Sequence, residues 1–261
     1  MVTTLGTVLV LLPPSQSKSV RRRGAPMRPD RLSFPQLAAT RDRVAHALGQ
    51  VGGGVEGARL LGLPHTLADQ VDLNTRLQRS PAVPVSALYT GVLYDALEVA
   101  SLTGPAKARA TRWLVVVSAL YGGLRMRDAV GPYRLSMSTT VPGLPPLARL
   151  WRPALAQALG AAAGRGLIVD GRSSDYVAAW KPAGEQATRW VHIAVPGATH
   201  GAKHTRGLVA RAICEHGLDA RTPVALARDL AQVTQGRLGV DLDEPARAGA
   251  PWQLRVTHKV W

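Results

Sequence analysis

The side chains with the most chemistry to offer lie between Ser118 and Arg134, directly after the short apolar run Trp113–Val117. That run is β-branched and of buried-strand type, so Ser118 stands at a strand's carboxyl end. In open α/β sheets ligands gather beyond those ends. Ser118 and Asp128 are therefore candidate catalytic groups, Asp128 as a general base wherever desolvation or a nearby charge raises its pKa. Arg125 precedes Asp128 by three residues, a spacing that equally suits an ion pair fixing the loop. Tyr133 and Arg134 offer a ring and a guanidinium plane for stacking on a flat base, and Tyr121 joins them as a binding candidate. Plain core packing suits Tyr133 as well.

Similar groups recur at other predicted strand ends: Ser17 with Lys18, Tyr89 with Thr90, and Asp170 with Ser173, Ser174 and Tyr176. Lys203 and Arg206 flank His204-Thr205 just before a predicted helix. Thr205 can cap that helix, so the segment is either an anion seat or ordinary surface charge. Lys18 and Lys203 complete the catalytic candidates, as charge stabilisers or nucleophilic amines. If the strands are neighbours in one sheet, all these groups meet over one crevice. Covalent serine chemistry is disfavoured, because no G-x-S-x-G elbow is present and Ser173-Ser174 lacks a partner base. His200 and His204 are four apart without an HExxH glutamate, too weak a pattern to assign a metal ligand, and no cofactor is expected.

The elements that must position these residues alternate. Thr7–Leu12 predicts a buried strand ending at Pro13-Pro14. Ser33 and Gln36 resemble a capping box opening a helix with Leu37, Val44, Ala45 and Leu48 on its apolar side, broken at Gly52–Gly54. Short helices over Glu56–Leu61 and Thr66–Leu77 complete a helical lobe at about 33–80. A strand ending near Leu88 precedes a helix from Val92 to Ala100. Leu147–Leu159 predicts an amphipathic helix, Leu167–Asp170 and Arg189–Val195 strands, and Gly207–Glu215 a helix. Gly236–Leu242 and Trp252–His258 predict two final strands. The whole, residues 1–261, reads as one α/β domain: a mixed central sheet with flanking helices and a small helical lobe.

A formal charge of +15 draws polyanions, DNA among them, although arginine-rich composition alone produces the same field. Arg21, Arg22, Arg23 and Arg28 make Lys18–Arg31 the most basic segment, either a solvated loop or a nucleic-acid clamp. The single cysteine, Cys214, excludes a disulfide framework and fits a reducing, cytoplasmic setting; it reads as an inert packed thiol. Val8–Leu12 is too short to span or anchor in a membrane.

The phrase S-A-L-Y-G-G-L-R-x-R-D-x-x-x-P-Y-R-L-x-M, from Ser118 to Met137, resembles the hallmark of the YaaA family of bacterial peroxide-stress proteins. LLPPSQSK (Leu11–Lys18), YTGVLYDAL (Tyr89–Leu97), IVDGRSSDY (Ile168–Tyr176) and KHTRGLVAR (Lys203–Arg211) match in the same order. The resemblance implies a YaaA-like fold and a role in the oxidative-stress response that limits free iron and binds DNA through a helix-hairpin-helix in the lobe. Such a hairpin needs glycine amides, and Asp72–Arg76 carries none. The central loop also resembles the active-site loop of archaeosine-synthase-like proteins. That likeness implies the alternative, an enzyme acting on a nucleobase, nucleotide or other small anionic ligand. A pure nucleic-acid scaffold is the third reading.

Overall fold

The computed structural model describes residues 7–197 and 201–258. In chain order the strands are β1 (Leu9–Leu12), β2 (Val83–Pro84), β3 (Leu114–Ser118), β4 (Gly122–Arg125), β5 (Ala129–Val130), β6 (Ile168–Asp170), β7 (Trp190–Ala194), β8 (Leu238–Asp243) and β9 (Trp252–His258). The α-helices are α1 (Ala38–Val51), α2 (Gly54–Leu60), α3 (Ala68–Val71), α4 (Val85–Leu88), α5 (Val92–Leu97), α6 (Gly104–Trp113), α7 (Leu147–Ala163), α8 (Ser174–Val177), α9 (Gly201–His216) and α10 (Pro223–Thr234). Short 3-10 turns join them, among them Asp72–Arg76 in the helical lobe.

Seven strands form one mixed sheet in the order β4-β3-β1-β6-β7-β9-β8. β3, β1, β6, β7 and β9 run parallel, and antiparallel β4 and β8 close the two edges. The parallel arrangement explains the unbroken apolar runs. Val10, Leu11 and Leu12 of β1, Leu114 to Val117 of β3, and Ile168 and Val169 of β6 are all buried, as strands covered on both faces require. The chain passes from β1 outward to β3 and then returns across β1 to β6. This reversal puts a topological switch point beside β1, with the carboxyl ends of β1, β3 and β6 on one edge.

Several local expectations change. Val85–Leu88 is helix rather than strand, because the amides of Val85 and Ser86 reach across to the Asp128 and Met126 carbonyls and start a helical turn. Ser33 caps nothing: its hydroxyl donates to Asp128 Oδ1 at 2.8 Å, and α1 begins only at Ala38. Gly122-Gly123 belongs to edge strand β4 instead of a ligand loop. Gly122 has φ +66°, and a Cβ there would lie 2.7 Å from the Trp151 ring, so packing against α7 demands glycine. Helix α9 starts six residues earlier than expected, which places Lys203–Arg206 inside it; Thr205 is buried and donates back to the Gly201 carbonyl at 3.1 Å rather than capping. Gly207 lets α9 press against α5, since a Cβ would collide with the Leu93 carbonyl. No described helix is long and apolar enough to cross a membrane.

Candidate functional site

The chain after β1 turns at Pro13-Pro14 and is pinned to the segment before α5. The Ser19 amide donates to the Leu88 carbonyl at 2.8 Å and the Thr90 amide to Ser17 at 3.2 Å, leaving Lys18 paired with Tyr89. This pinned loop walls a cavity of about 400 Å³ over the ends of β1 and β6. Ser15, Gln16 and Ser17 form one side and the start of α5 another. Ser136, Ser138, Ser173, Asp175 and Tyr176 contribute from the loops after β5 and β6, and Lys203 and Arg206 from α9. Loops distant in sequence thus meet at the switch point.

Lys18 lies directly behind the loop wall. Its Nζ donates to the Ser15 carbonyl at 2.8 Å and the Gln16 carbonyl at 3.4 Å, and sits 4.2 Å from the Tyr133 ring centre and 5.6 Å from that of Tyr89. Desolvation, helped by the Arg134 charge, lowers its pKa to about 7. Beside it runs a buried hydroxyl chain: Ser118 Oγ to Tyr133 at 2.7 Å, and Tyr133 to Tyr89 at 3.0 Å. Ser118 Oγ already accepts from the Leu120 and Tyr121 amides at 3.1 and 3.0 Å, so it donates to Tyr133. Burial pushes both Tyr89 and Tyr133 well above the usual phenol range, so the chain is neutral.

Arg206 and Tyr176, both of which line the cavity, bury polar atoms: Arg206 Nε has no hydrogen-bond partner among the described residues, and the Tyr176 hydroxyl lies against the Met137 backbone. Burial pulls the Arg206 pKa down while the Asp170 charge opposes it. Lys203 is exposed at the rim, as is Asp175.

Other expected site residues serve the framework. Asp128 is 3% exposed and its carboxylate accepts from the Ser33 amide (2.9 Å), the Ser33 hydroxyl (2.8 Å) and the Arg125 amide (2.7 Å). The expected Arg125–Asp128 contact is therefore made by the backbone, while the Arg125 guanidinium turns to the Arg112 carbonyl and the Phe34 ring. Asp170 is saturated by Arg172, with Nε at 2.8 Å and NH2 at 2.6 Å, and by Trp190 Nε1 at 3.0 Å. Burial alone would raise its pKa, but the Arg172 charge holds it below the usual range. Tyr121 packs edge-on against Tyr133 and is buried. Thr90 and Ser174 lie outside the cavity wall, and Arg134 NH1 reaches Gln70 Oε1 at 2.9 Å.

Three framework residues escaped the sequence reading. Arg41, on the apolar stripe of α1, donates to the carbonyls of Ser33, Tyr121 and Gly123. Arg172 is fully buried and also holds the Tyr176 and Trp180 carbonyls, tying down α8. Asn74 meets both backbone groups of Arg134 at 2.9 Å, fastening the helical lobe to the central loop. The signal in each case was a polar residue where periodicity or an adjacent strand placed an apolar one.

Arg21, Arg22, Arg23 and Arg28 are exposed. Arg21 and Arg22 join Arg76 and Arg79 around a separate groove of about 520 Å³, whereas Arg28 pairs with Asp30 at 3.0 Å. A larger hollow of about 750 Å³ in the helical lobe, lined by Asp42, His46 and Arg79 among others, gathers none of the motif residues. At the glycine turn between α1 and α2, the Gly54 amide donates to Asp72 Oδ1 at 2.6 Å, so a carboxylate of the chain itself occupies the anion position there. Cys214 is buried, and burial raises its thiol pKa to about 12. His200 lies outside the described residues; among those described, no three His, Cys, Asp or Glu side chains gather as a metal site.

Residues 8–230 match the family described as peroxide stress protein YaaA. The chain is 42% identical to a UPF0246 protein of Streptomyces coelicolor across 97% of this chain and 100% of that one. A UPF0246 protein of Corynebacterium efficiens is 32% identical (91% and 96% covered), and one of Rhizorhabdus wittichii 31% (70% and 80%).

Proposed function

The chain belongs to the YaaA family of peroxide stress proteins, and from that premise we propose that it serves the response to peroxide by binding, and acting on, a small anionic ligand of nucleobase or nucleotide type at the switch-point cavity. The observation that carries this reading is the meeting of Lys203 and Arg206 from α9 with Ser15, Gln16, Ser17 and Ser173 over one hollow of about 400 Å³. A phosphate or carboxylate would supply the acceptor that Arg206 Nε lacks. The neighbouring Lys18 amine is the group most able to exchange a proton near neutrality. Calorimetric titration with AMP, GMP and inorganic phosphate tests it. Submillimolar binding of at least one, weakened about tenfold or more by Arg206→Ala, is expected from a charge-assisted contact. Wild-type protein that binds none of them would overturn the reading.

A second reading, DNA binding, is favoured by the groove that Arg21, Arg22, Arg76 and Arg79 surround. Backbone neutralisation makes affinity fall steeply with salt, by about 0.9 in log–log slope per phosphate contacted. Arg21→Ala/Arg22→Ala should therefore flatten the slope for duplex DNA by roughly 2. An unchanged slope would remove this groove from DNA contact. The family's tie to intracellular iron is carried by likeness, and its measure is chelatable iron after a peroxide pulse in cells with and without the protein.

A further inference from the structure

Of the thirty-two Lys and Arg residues only Lys18, Lys107, Lys181, Lys203 and Lys259 are lysines. Two of these five stand at one cavity, Lys203 on its rim and Lys18 behind its wall. The distinction matters chemically, because a guanidinium keeps its proton at any physiological pH and cannot attack a carbonyl, whereas a desolvated amine can. Charge attraction alone would be served by arginine, which supplies most of the chain's basic side chains.

The placement of Lys18 suits an attacking group. It follows the carboxyl end of β1 beside the switch point, and the loop that carries it is held by backbone bonds to Leu88 and Thr90. Its Nζ is wedged between the rings of Tyr133 and Tyr89, which shield it from water, and Arg134 is the charged neighbour that disfavours its protonation. Among the described residues its bonds go to the carbonyls of Ser15 and Gln16, with no carboxylate to hold it as an ion. Ser15 and Gln16, whose carbonyls hold Nζ, also line the cavity, so contact with a ligand there requires the flexible four-carbon stem to swing Nζ past this wall. Arg206, which lines the cavity and whose Nε has no partner among the described residues, provides the anchor for an anionic substituent.

Resting on the anion-binding reading above, we infer that Lys18 forms an imine with the carbonyl carbon of an anionic aldehyde or ketone held in this cavity by Arg206. The uncharged amine donates its lone pair to the carbonyl carbon as the C–O π bond opens. The amine passes its two protons to that oxygen, which departs as water, leaving C=N. No oxidant or reductant is consumed, and hydrolysis reverses the step.

Reductive trapping tests it. The full-length protein is treated separately with pyridoxal 5′-phosphate, glyoxylate and pyruvate in the presence of sodium cyanoborohydride, and adducts are located by peptide mass mapping. The expected result is at least tenfold preference for Lys18 over exposed Lys107 and Lys181 with at least one probe. Arg206→Ala should abolish that preference while leaving the slow labelling of Lys107 and Lys181 unchanged. Lys18→Arg, which preserves charge and bulk, should lose the adduct yet still bind phosphate or nucleotide by calorimetry. Labelling of Lys18 no faster than of the exposed lysines, in protein that binds those anions, overturns the imine alone. Failure of both labelling and anion binding overturns the cavity reading with it.

Discussion

A half-buried amine and a fully buried ion pair make opposite demands on the fold. Lys18 has a folded pKa of about 7 against an ordinary 10.5, so between those values the unfolded chain binds more protons than the native one. Stability must then rise as pH climbs through that window, and below about 7 the full cost of housing the charged form is felt. After discounting for partial solvent screening the effect is roughly 2 kcal/mol. Urea unfolding at pH 6.5 and 9.5, compared between wild type and Lys18→Met, reads it (both pH values are about the window's limits); identical pH dependence in the two proteins would refute the lowered pKa. Arg172→Met leaves Asp170 charged and unpaired in a dry site, and should cost about 3–5 kcal/mol in the same assay. These two residues also show what could be read beforehand. Lys18 sits in a recognisable strand-end loop, and its chemistry is visible in its type. Asp170 and Asp128 had the same outward credentials but are taken up by four hydrogen bonds from Arg172 and Trp190 and by three from Ser33 and Arg125, respectively. A sequence displays a carboxylate without displaying how many donors will surround it.

At the level of elements, β1, β3 and β6 were legible because strands buried on both faces need continuous apolar runs, and theirs are uninterrupted. The start of α9 was not, since its first turn carries lysine, histidine and arginine with little apolar periodicity; its docking on α5 supplies what the pattern lacks. Val85–Leu88 has the composition of a strand and becomes helix because its Val85 and Ser86 amides donate to the carbonyls of Asp128 and Met126, in a loop about forty residues away. The α5–α9 contact gives a sharp test. Gly207→Ala forces a methyl onto the Leu93 backbone, and overpacking of this kind costs about 1–3 kcal/mol. Because α5 and α9 both line the cavity, the substitution should lower Tm and weaken phosphate or nucleotide binding together. A variant with native Tm would show that the helices separate without strain.

For the molecule as a whole, the order of strands dictates more than the location of a cavity. The central strand β1 precedes both of its neighbours in the chain, yet Val10 pairs with Leu114 on one side and Val169 on the other. Nearly the whole sheet must therefore be assembled from contacts between chain segments far apart, the arrangement that folds slowly and leaves apolar strands exposed meanwhile. A chain ended before Ile168 should show no cooperative urea transition, because β1 would keep one bare edge and lose the cover of β6, α8 and α9. A sigmoidal transition in that fragment would mean the first half is a folding unit in its own right. As the chain is synthesised, β1 must wait for β6 and α9, which lie far downstream of it, and the hollow at its tip comes into being only once α9 has docked.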